Sequence, residues 1–226
     1  TSGYQVVDRP RPRAADDLSL STNHGGVAIV ANPGIQLSSF DIAVSPTTFE
    51  FTAARLVHGS FAAVIVGIYR PGSHAVQASF FDEFSAILDC VATHQERVFL
   101  VGDINIRCDR PDESVPRQFF DLITSHGFGV QPSDTTHKSG GTIDVVITQS
   151  DFVSAGQVCV TDVGLSDHHI LSWSVPTVRV TSSIEQVTRR PRRKLNVEVL
   201  RQEIDSSSLC QPDLWPSDTE ALAELF

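Results

Sequence analysis

The sequence predicts a mixed α/β fold, and three observations carry that prediction. Near-continuous apolar runs such as residues 61–69 are typical of strands that are covered on both faces. Residues 77–94 repeat apolar side chains at helical spacing between two such runs. Carboxylates also lie inside or directly after apolar runs in residues 98–105, 140–147 and 164–171. Because burying an unpaired charge is costly, these interruptions predict strand ends that converge on one polar site.

The first half of the predicted fold consists of strands. Gly25 and Gly26 form a turn before the first of them. The strand candidates in this half are residues 27–31, 40–45, 49–57 and 61–69. Turn chemistry in Arg70-Pro71-Gly72 ends the last one.

The second half alternates helices with strands. In the helix predicted over 77–94, Phe80, Phe81 and Phe84 share the apolar face, so we expect them in the core rather than at a ligand. The remaining predicted elements are a strand at 98–101, a helix at 116–125, a strand at 142–148, a strand at 170–175 and a helix at 195–204.

The character of the sequence changes after Pro176, so we assign residues 1–176 to one domain. Residues 177–226 are interpreted as a linker to a further domain. Five of the six residues 189–194 are basic, which fits either a solvated linker or a patch for a phosphate backbone or for nuclear import. We expect both ends to be cuts from a longer polypeptide, because the sequence contains no Met and stops within an amphipathic stretch at 220–226.

The composition excludes several classes of protein. The formal net charge of −10 argues against a generic nucleic-acid coat protein, because such a protein would present a basic surface. It does not exclude a nuclease whose carboxylates hold divalent cations. No apolar run approaches the roughly 20 residues that span a membrane, and no segment reads as a signal peptide. The four cysteines lack metal-type spacing, so we expect reduced thiols in a nuclear or cytoplasmic protein.

Asp103 and Asn105 lie two residues apart, just beyond a predicted buried strand. On an extended backbone such residues point to the same side, where a carboxylate and a carboxamide can orient water or share a cation with it. An Asx-rich turn also accounts for the pair, and both interpretations stay open.

Two further acidic positions suggest histidine chemistry. Asp144 is predicted in the middle of a strand, so it must be paired or functional; the alternatives are a histidine that it orients and a single buried salt bridge. Asp167 and His168 offer a hard oxygen ligand beside a titratable nitrogen at the edge of a site, although the pair His168-His169 can also be a surface accident. Because oxygen ligands predominate and no cysteine is near, a soft transition-metal cluster is not expected.

Tyr69 and Arg70 lie where a predicted buried strand emerges. A phenol there can donate a hydrogen bond to a phosphate oxygen, and an arginine can grip a phosphate bidentately. An aromatic plug at the strand end is the alternative.

The order of these segments resembles the endonuclease/exonuclease/phosphatase superfamily. The segments that carry the resemblance are Tyr69-Arg70-Pro71, Gly102-Asp103-Ile104-Asn105, Thr136-His137 with Gly140-Gly141-Thr142-Ile143-Asp144, and Leu165-Ser166-Asp167-His168. The stretch 132–144 and the Ser-Asp-His-His ending resemble the apurinic-type endonuclease domain of LINE-type (non-LTR) retrotransposons. The resemblance covers about residues 3–176. It implies a four-layer α/β sandwich, in which two mostly antiparallel sheets pack face to face with helices outside, here without the first strands.

The resemblance implies hydrolysis of a DNA phosphodiester that depends on Mg²⁺ or Mn²⁺. Such an enzyme nicks target DNA and exposes a 3′ hydroxyl for target-primed reverse transcription. The implied partners are DNA, the element RNA and a reverse transcriptase domain of the same parent polypeptide, with no membrane.

The resemblance also implies roles for the site residues. Asp103 would activate the attacking water and help to bind the metal, and Asn105 would orient the water or the phosphate. His168 would contact the scissile phosphate, with Asp144 behind it, and Asp167 would bind the metal. The remaining implied contacts are those of Tyr69 and Arg70 with the phosphate and of Thr136 and Ser166 with DNA or with catalytic residues.

The sequence departs from the family pattern near its start. The family opens with a strand that ends in an Asn motif and a second strand that ends in a metal-binding Glu, and Gly3-Tyr4 aligns just after that Glu. Glu50 lies in a Phe-Glu-Phe strand and does not replace it. We therefore expect weak metal binding and little or no activity from this chain compared with its parent. The alternatives are another phosphatase or phosphodiesterase of the superfamily and a non-catalytic nucleic-acid-binding remnant.

Overall fold

The computed structural model describes residues 3–11, 25–131, 133–151, 157–177, 196–207 and 210–211. The chain forms two compact units, Thr1–Val180 and Thr181–Phe226. Pro132, the basic run 189–194 and the stretch 220–226 lie outside the described residues. Among the helices that are described, none combines the length and the apolar character needed to cross a membrane.

Most strands belong to one six-stranded sheet. The strands are β1 (Gln5–Pro10), β2 (Gly26–Ala31), β3 (Gln36–Ser39), β4 (Glu50–His58), β5 (Phe61–Tyr69), β6 (Arg97–Asp103), β7 (Phe128–Val130), β8 (Asp144–Gln149), β9 (Cys159–Thr161) and β10 (Ile170–Ser172). The helices are α1 (Ala78–Ala92), α2 (Ser114–Ser125) and α3 (Val197–Asp205). The sheet has the order β3-β4-β5-β6-β8-β7, in which only β5 and β6 are parallel. Parallel neighbours need a crossover connection, and α1 lies within it.

One face of the six-stranded sheet shares a hydrophobic core with α1 and α2. Phe80, Phe84, Ile87, Leu88 and Val91 of α1 are buried, because their spacing places them on one side of the helix. The same core cluster contains, from the sheet and from α2, Val64, Val66, Val98, Leu100, Ile147, Phe119 and Ile123.

The opposite face of the sheet carries the alternate residues of the same strands. The antiparallel ribbon of β1 and β2 packs there, since a Cβ added to Gly67 of β5 would lie 2.8 Å from Val27 Cγ1 of β2. Trp173, just after β10, lies against Phe99 of β6 on this face, with ring centroids 6.2 Å apart. The predicted α/β fold of packed sheets flanked by helices is thus confirmed.

Two details of the predicted strands are wrong. The strand expected at 40–45 is absent, because β3 ends at Ser39 and residues 40–46 have no regular structure. The alternation of Phe40, Ile42 and Val44 instead reflects packing against the core cluster, which needs no strand ladder. Asp144 is the first residue of β8 rather than a mid-strand residue, so its backbone lies at the edge of the core.

Glu83 of α1 ties the helix to the loop before β4. Its carboxylate accepts four hydrogen bonds, from the backbone N–H and the hydroxyl of Thr47 at 2.9 and 2.7 Å and from those of Thr48 at 3.0 and 2.5 Å. Burial acts to raise the pKa of Glu83, but these hydrogen bonds together hold it below its ordinary value of 4.5.

Glu83→Gln is expected to lower the free energy of unfolding at pH 7 by about 2 kcal/mol, because an amide nitrogen would face the donors of Thr47 and Thr48. Since the folded pKa of Glu83 is depressed, its contribution is present above pH 4.5 and is lost as the pH falls through the folded pKa. Urea unfolding of both proteins should therefore show a difference that shrinks in acid. Asp82→Asn, at an exposed neighbour on α1, is the control, and a pH-independent difference would contradict the prediction.

Candidate active site

Four polar residues form one row at the same end of the four central strands of the sheet. Glu50 of β4 pairs with Tyr69 of β5, Tyr69 pairs with Asp103 of β6, and Asp103 pairs with Asp144 of β8. Paired residues of adjacent strands project to the same face, which here is the face opposite the helices. Strand register therefore brings together Asp103 and Asp144, which are 41 positions apart in the sequence.

Asp103 is the last residue of β6, and its carboxylate is held by Asn105. The backbone N–H of Asn105 donates to Oδ1 and its side-chain amide donates to Oδ2, both at 2.9 Å. Burial raises the pKa of Asp103, and the charge of Asp144 adds to this, whereas the Asn105 hydrogen bonds and the charge of His168 oppose it. Asn105 has a positive φ of 49°, which is typical of an Asx-type turn. The turn and the oriented carboxylate of Asp103, which the sequence offered as alternatives, therefore occur together.

Arg70 lies beneath this turn and is only 5% exposed. Its guanidinium donates to the backbone oxygens of Ile104 at 2.6 Å, Pro71 at 3.0 Å, His74 at 3.2 Å and Asn105 at 2.7 Å. Burial lowers its pKa. The structure therefore does not place Arg70 for the bidentate phosphate grip expected from the sequence. It holds the backbone that presents Asp103 and Asn105.

His168 reaches the row from the loop before β10. Its Nδ1 lies 3.0 Å from Asp144 Oδ2, and its Nε2 lies 3.9 Å from Asp103 Oδ2. Burial acts to lower the pKa of His168, but the hydrogen bond and charge of Asp144 and the charges of Asp103 and Asp167 raise it above its ordinary value. A cationic imidazole with one N–H on Asp144 can direct the other N–H into the site.

Thr136 and Ser166 lie behind these groups. The Thr136 side chain is fully buried, and its hydroxyl accepts from the backbone N–H groups of Ile143 at 3.0 Å and Asp144 at 3.1 Å. The Ser166 hydroxyl accepts from the His168 N–H at 2.8 Å. Of the two roles expected from the sequence, the geometry of Thr136 favours support of a catalytic residue over contact with DNA.

Asp167 is exposed and lies beside His137, for which the sequence predicts no role. Asp167 Oδ2 is 3.3 Å from His137 Nε2. His137 and His168 form an antiparallel backbone bridge, and Lys138 N–H donates to the Asp167 carbonyl at 2.8 Å. The only sequence signal for His137 is its position beside Thr136 in the Thr-His-Lys-Ser-Gly-Gly run.

Two clusters of the described residues have ligand atoms close enough to hold a metal ion. Asp103, Asp144 and His168 form one, and His137, Asp167 and His168 form the other, with the potential ligand atoms of each within 4.8 Å of one another. Asp103 and Asp167, the metal ligands expected from the sequence, thus lie in different clusters that share His168. Carboxylate oxygens predominate in the first cluster, a donor set that fits a hard divalent cation.

Glu50, at the far end of the row, is bound by Arg11. The guanidinium of Arg11 donates to Glu50 Oε1 and also lies over the Tyr69 ring, 5.8 Å from its centroid. The other carboxylate oxygen of Glu50 is buried without a hydrogen-bond partner among the described residues. The ion pair of Arg11 and Glu50 therefore places the Arg11 cation next to Tyr69. The sequence did not predict this contact, because Arg11 and Glu50 are distant along the chain.

The comparisons with known proteins concern the family and the fold of the chain. The sequence matches the model of the Endonuclease/Exonuclease/phosphatase family over residues 3–168. The chain is similar to the endonuclease domain of TRAS1, a telomere-specific non-LTR retrotransposon, with 13% identity and a TM-score of 0.56 over 75% of this chain and 76% of that one. It is also similar to an endonuclease/exonuclease/phosphatase family protein from Leptotrichia buccalis, with 12% identity and a TM-score of 0.53 over 77% and 72% of the two chains. At these identities the likeness concerns the fold. No curated protein matches the sequence.

Proposed function

Since the chain belongs to the endonuclease/exonuclease/phosphatase family, whose members are hydrolases that act on phosphodiester bonds, we propose that its site is that of a DNA endonuclease. In this proposal the enzyme depends on Mg²⁺ or Mn²⁺ and nicks target DNA to prime reverse transcription in a non-LTR retrotransposon. The observation that carries the proposal is the placement of Asp103 and Asp144 side by side with His168 across them. The similarity to the TRAS1 endonuclease domain supports DNA as the substrate.

Each site residue has a chemical task in this proposal. Asp103, whose pKa is raised by burial, accepts a proton from the attacking water, and Asn105 fixes the orientation of that carboxylate. His168 donates from Nε2 to the scissile phosphate, while Asp144 holds Nδ1. The hydroxyl of Tyr69, next to Asp103 in the row, contacts the same phosphate.

A divalent cation held by Asp103 in the first cluster or by Asp167 in the second would supply Lewis-acid stabilisation of the charge that develops on the phosphate. We expect its affinity to be low. Among the described residues no glutamate joins either of the two possible metal clusters, and the carboxylate of Glu50 is bound by Arg11. Fewer carboxylate ligands leave more of the coordination to water.

The proposal also includes a wider molecular context. We infer that residues 177–226 connect the domain of residues 1–176 to a reverse transcriptase domain of the same polypeptide, which would use the element RNA as its template. The basic residues of the run 189–194 carry the charge that a phosphate backbone attracts.

At metal concentrations high enough to offset the weak binding, Asp103→Ala is expected to reduce nicking of supercoiled plasmid by at least about 100-fold, because the variant lacks the proton acceptor. The assay compares it with the unmodified chain over a series of Mg²⁺ and Mn²⁺ concentrations and with a chelator. Asp82→Ala, which removes an exposed carboxylate on α1, should nick like the unmodified chain. Nicking that survives Asp103→Ala would contradict the proposal.

The same assay separates the alternatives. Hydrolysis of inositol phosphates in preference to DNA would favour a phosphatase of the family. If no metal concentration yields cleavage, and if Asp103→Ala and His168→Ala leave DNA affinity unchanged, the chain is a non-catalytic binding remnant.

A further inference from the structure

The hydrogen bonds around His137 indicate which of its ring nitrogens carries the proton. The backbone N–H of Ser139 points at His137 Nδ1 from 3.1 Å, and the Ser139 hydroxyl lies 2.6 Å from the same nitrogen. A backbone N–H can only donate, so Nδ1 must offer a lone pair. In a neutral imidazole the proton is then on Nε2.

The proton on Nε2 has an acceptor in place, since Asp167 Oδ2 lies 3.3 Å away. We propose that His137 is a positioning residue whose Nε2–H fixes the carboxylate of Asp167 for its task in the site. This inference rests on the metal-binding role proposed for Asp167 above.

The other contacts of Asp167 also support the proposal that its carboxylate is held in place. The side chain of Asp167 is 70% exposed, and a hydrogen bond to so exposed a carboxylate adds little stability, so the contact serves orientation rather than folding energy. The Asp167 carbonyl accepts from Lys138 N–H at 2.8 Å. Asp167 is therefore held through its backbone and its side chain by two consecutive residues, 137 and 138.

His137 also contacts His168. The two rings are nearly perpendicular, at 89°, with centroids 4.9 Å apart. Because the Nδ1 of His168 is bound to Asp144, packing by His137 restricts the remaining movement of the His168 ring. One side chain thus borders two of the proposed site residues.

The spacing of His137, Asp167 and His168 also fits a metal site with two histidine ligands, but the hydrogen bonds of His137 disagree with that role. A histidine that binds a metal through Nε2 has its proton on Nδ1 and donates it to a carboxylate, a carbonyl or water. Here the partner of Nδ1 is the Ser139 N–H, which would face that proton directly. The geometry favours a hydrogen-bond donor over a metal ligand.

Two measurements on the whole chain test the proposal, and neither requires catalysis. Long-range ¹H–¹⁵N spectra of the histidine rings, recorded without metal in the alkaline range, should show His137 with its proton on Nε2. Calorimetric titration with Mn²⁺ should show an affinity about tenfold lower for His137→Ala, as is typical when a residue that orients a metal ligand is removed. His137→Gln keeps an N–H donor near the position of Nε2 and should retain most of the affinity.

His58→Ala, which removes an exposed histidine at the end of β4, is the matched control and should bind Mn²⁺ like the unmodified chain.

A proton on Nδ1 of His137 would overturn the proposal. Equal losses of affinity in His137→Ala and His137→Gln would do so as well, because they would identify a metal ligand. If the unmodified chain does not bind Mn²⁺, Asp167 has no metal ion to bind, and the proposal that His137 orients it for that purpose is also overturned. A failure to nick DNA together with the expected spectra and affinities would reject the nuclease and leave the role of His137 intact.

Discussion

Gly102→Ala is expected to lower the free energy of unfolding by about 4 kcal/mol or more. Gly102 has a φ of +139°, a conformation that residues with a side chain rarely adopt. A Cβ at this position would lie 1.9 Å from the backbone oxygen of Ile68 on the neighbouring strand. Because β5 and β6 form the parallel pair at the centre of the sheet, neither strand can move away without losing ladder hydrogen bonds.

Equilibrium unfolding in guanidinium chloride, followed by circular dichroism, measures this effect. Gly129→Ala is the matched control, since a Cβ there meets nothing within 4 Å and the backbone needs no positive φ. It should change stability by less than about 1 kcal/mol. If Gly102→Ala also changes stability by less than about 1 kcal/mol, β6 tolerates the side chain and the prediction is wrong. Any folded fraction of Gly102→Ala should also nick poorly, because Asp103 is the next residue.

The strands and helices that the sequence predicts best are those whose burial leaves a pattern. The run 61–69 is apolar throughout because β5 is covered on both faces, and the spacing in 77–94 reflects one buried side of α1. The sequence does not predict the strands β1, β3, β7 and β9. They are short or largely exposed, so their sequences carry little apolar alternation.

The candidate site could be predicted in part for a related reason. Asp103, Asp144 and His168 each lie directly beside an apolar segment, and a charge in such a place needs a partner or a function. Their mutual contacts follow from strand register, in which a slip of one residue in β8 would turn Asp144 toward the helices. Strand register cannot be read from the sequence. The sequence therefore predicts that these side chains converge on one site, but not the distances between them.

The role of Arg70 could not be predicted because it depends on backbone atoms. A buried guanidinium is stable here because four carbonyl groups of two turns accept its hydrogen bonds. These carbonyls are present in every sequence and become acceptors for Arg70 only after the turns fold. The contacts of His137 and Arg11 could not be predicted for a different reason, since their side-chain partners lie 30 and 39 positions away in the sequence.

Asp144→Asn is expected to reduce the rate of nicking by about 1,000-fold while the fold remains intact, because an amide cannot stabilise the cationic form of His168. In the unmodified chain the hydrogen bond and charge of Asp144 are the main influences that raise the pKa of His168, against the opposing effect of burial. Without them only the charges of Asp103 and Asp167 oppose burial, so the pKa of His168 should fall. NMR titration of the His168 ring measures this shift without any need for activity.

Asp121→Asn, at an exposed carboxylate of α2, should leave the titration of His168 unchanged. If the pKa of His168 is the same in Asp144→Asn as in the unmodified chain, Asp144 does not hold the imidazolium, and the electrostatic role assigned to the pair must be abandoned.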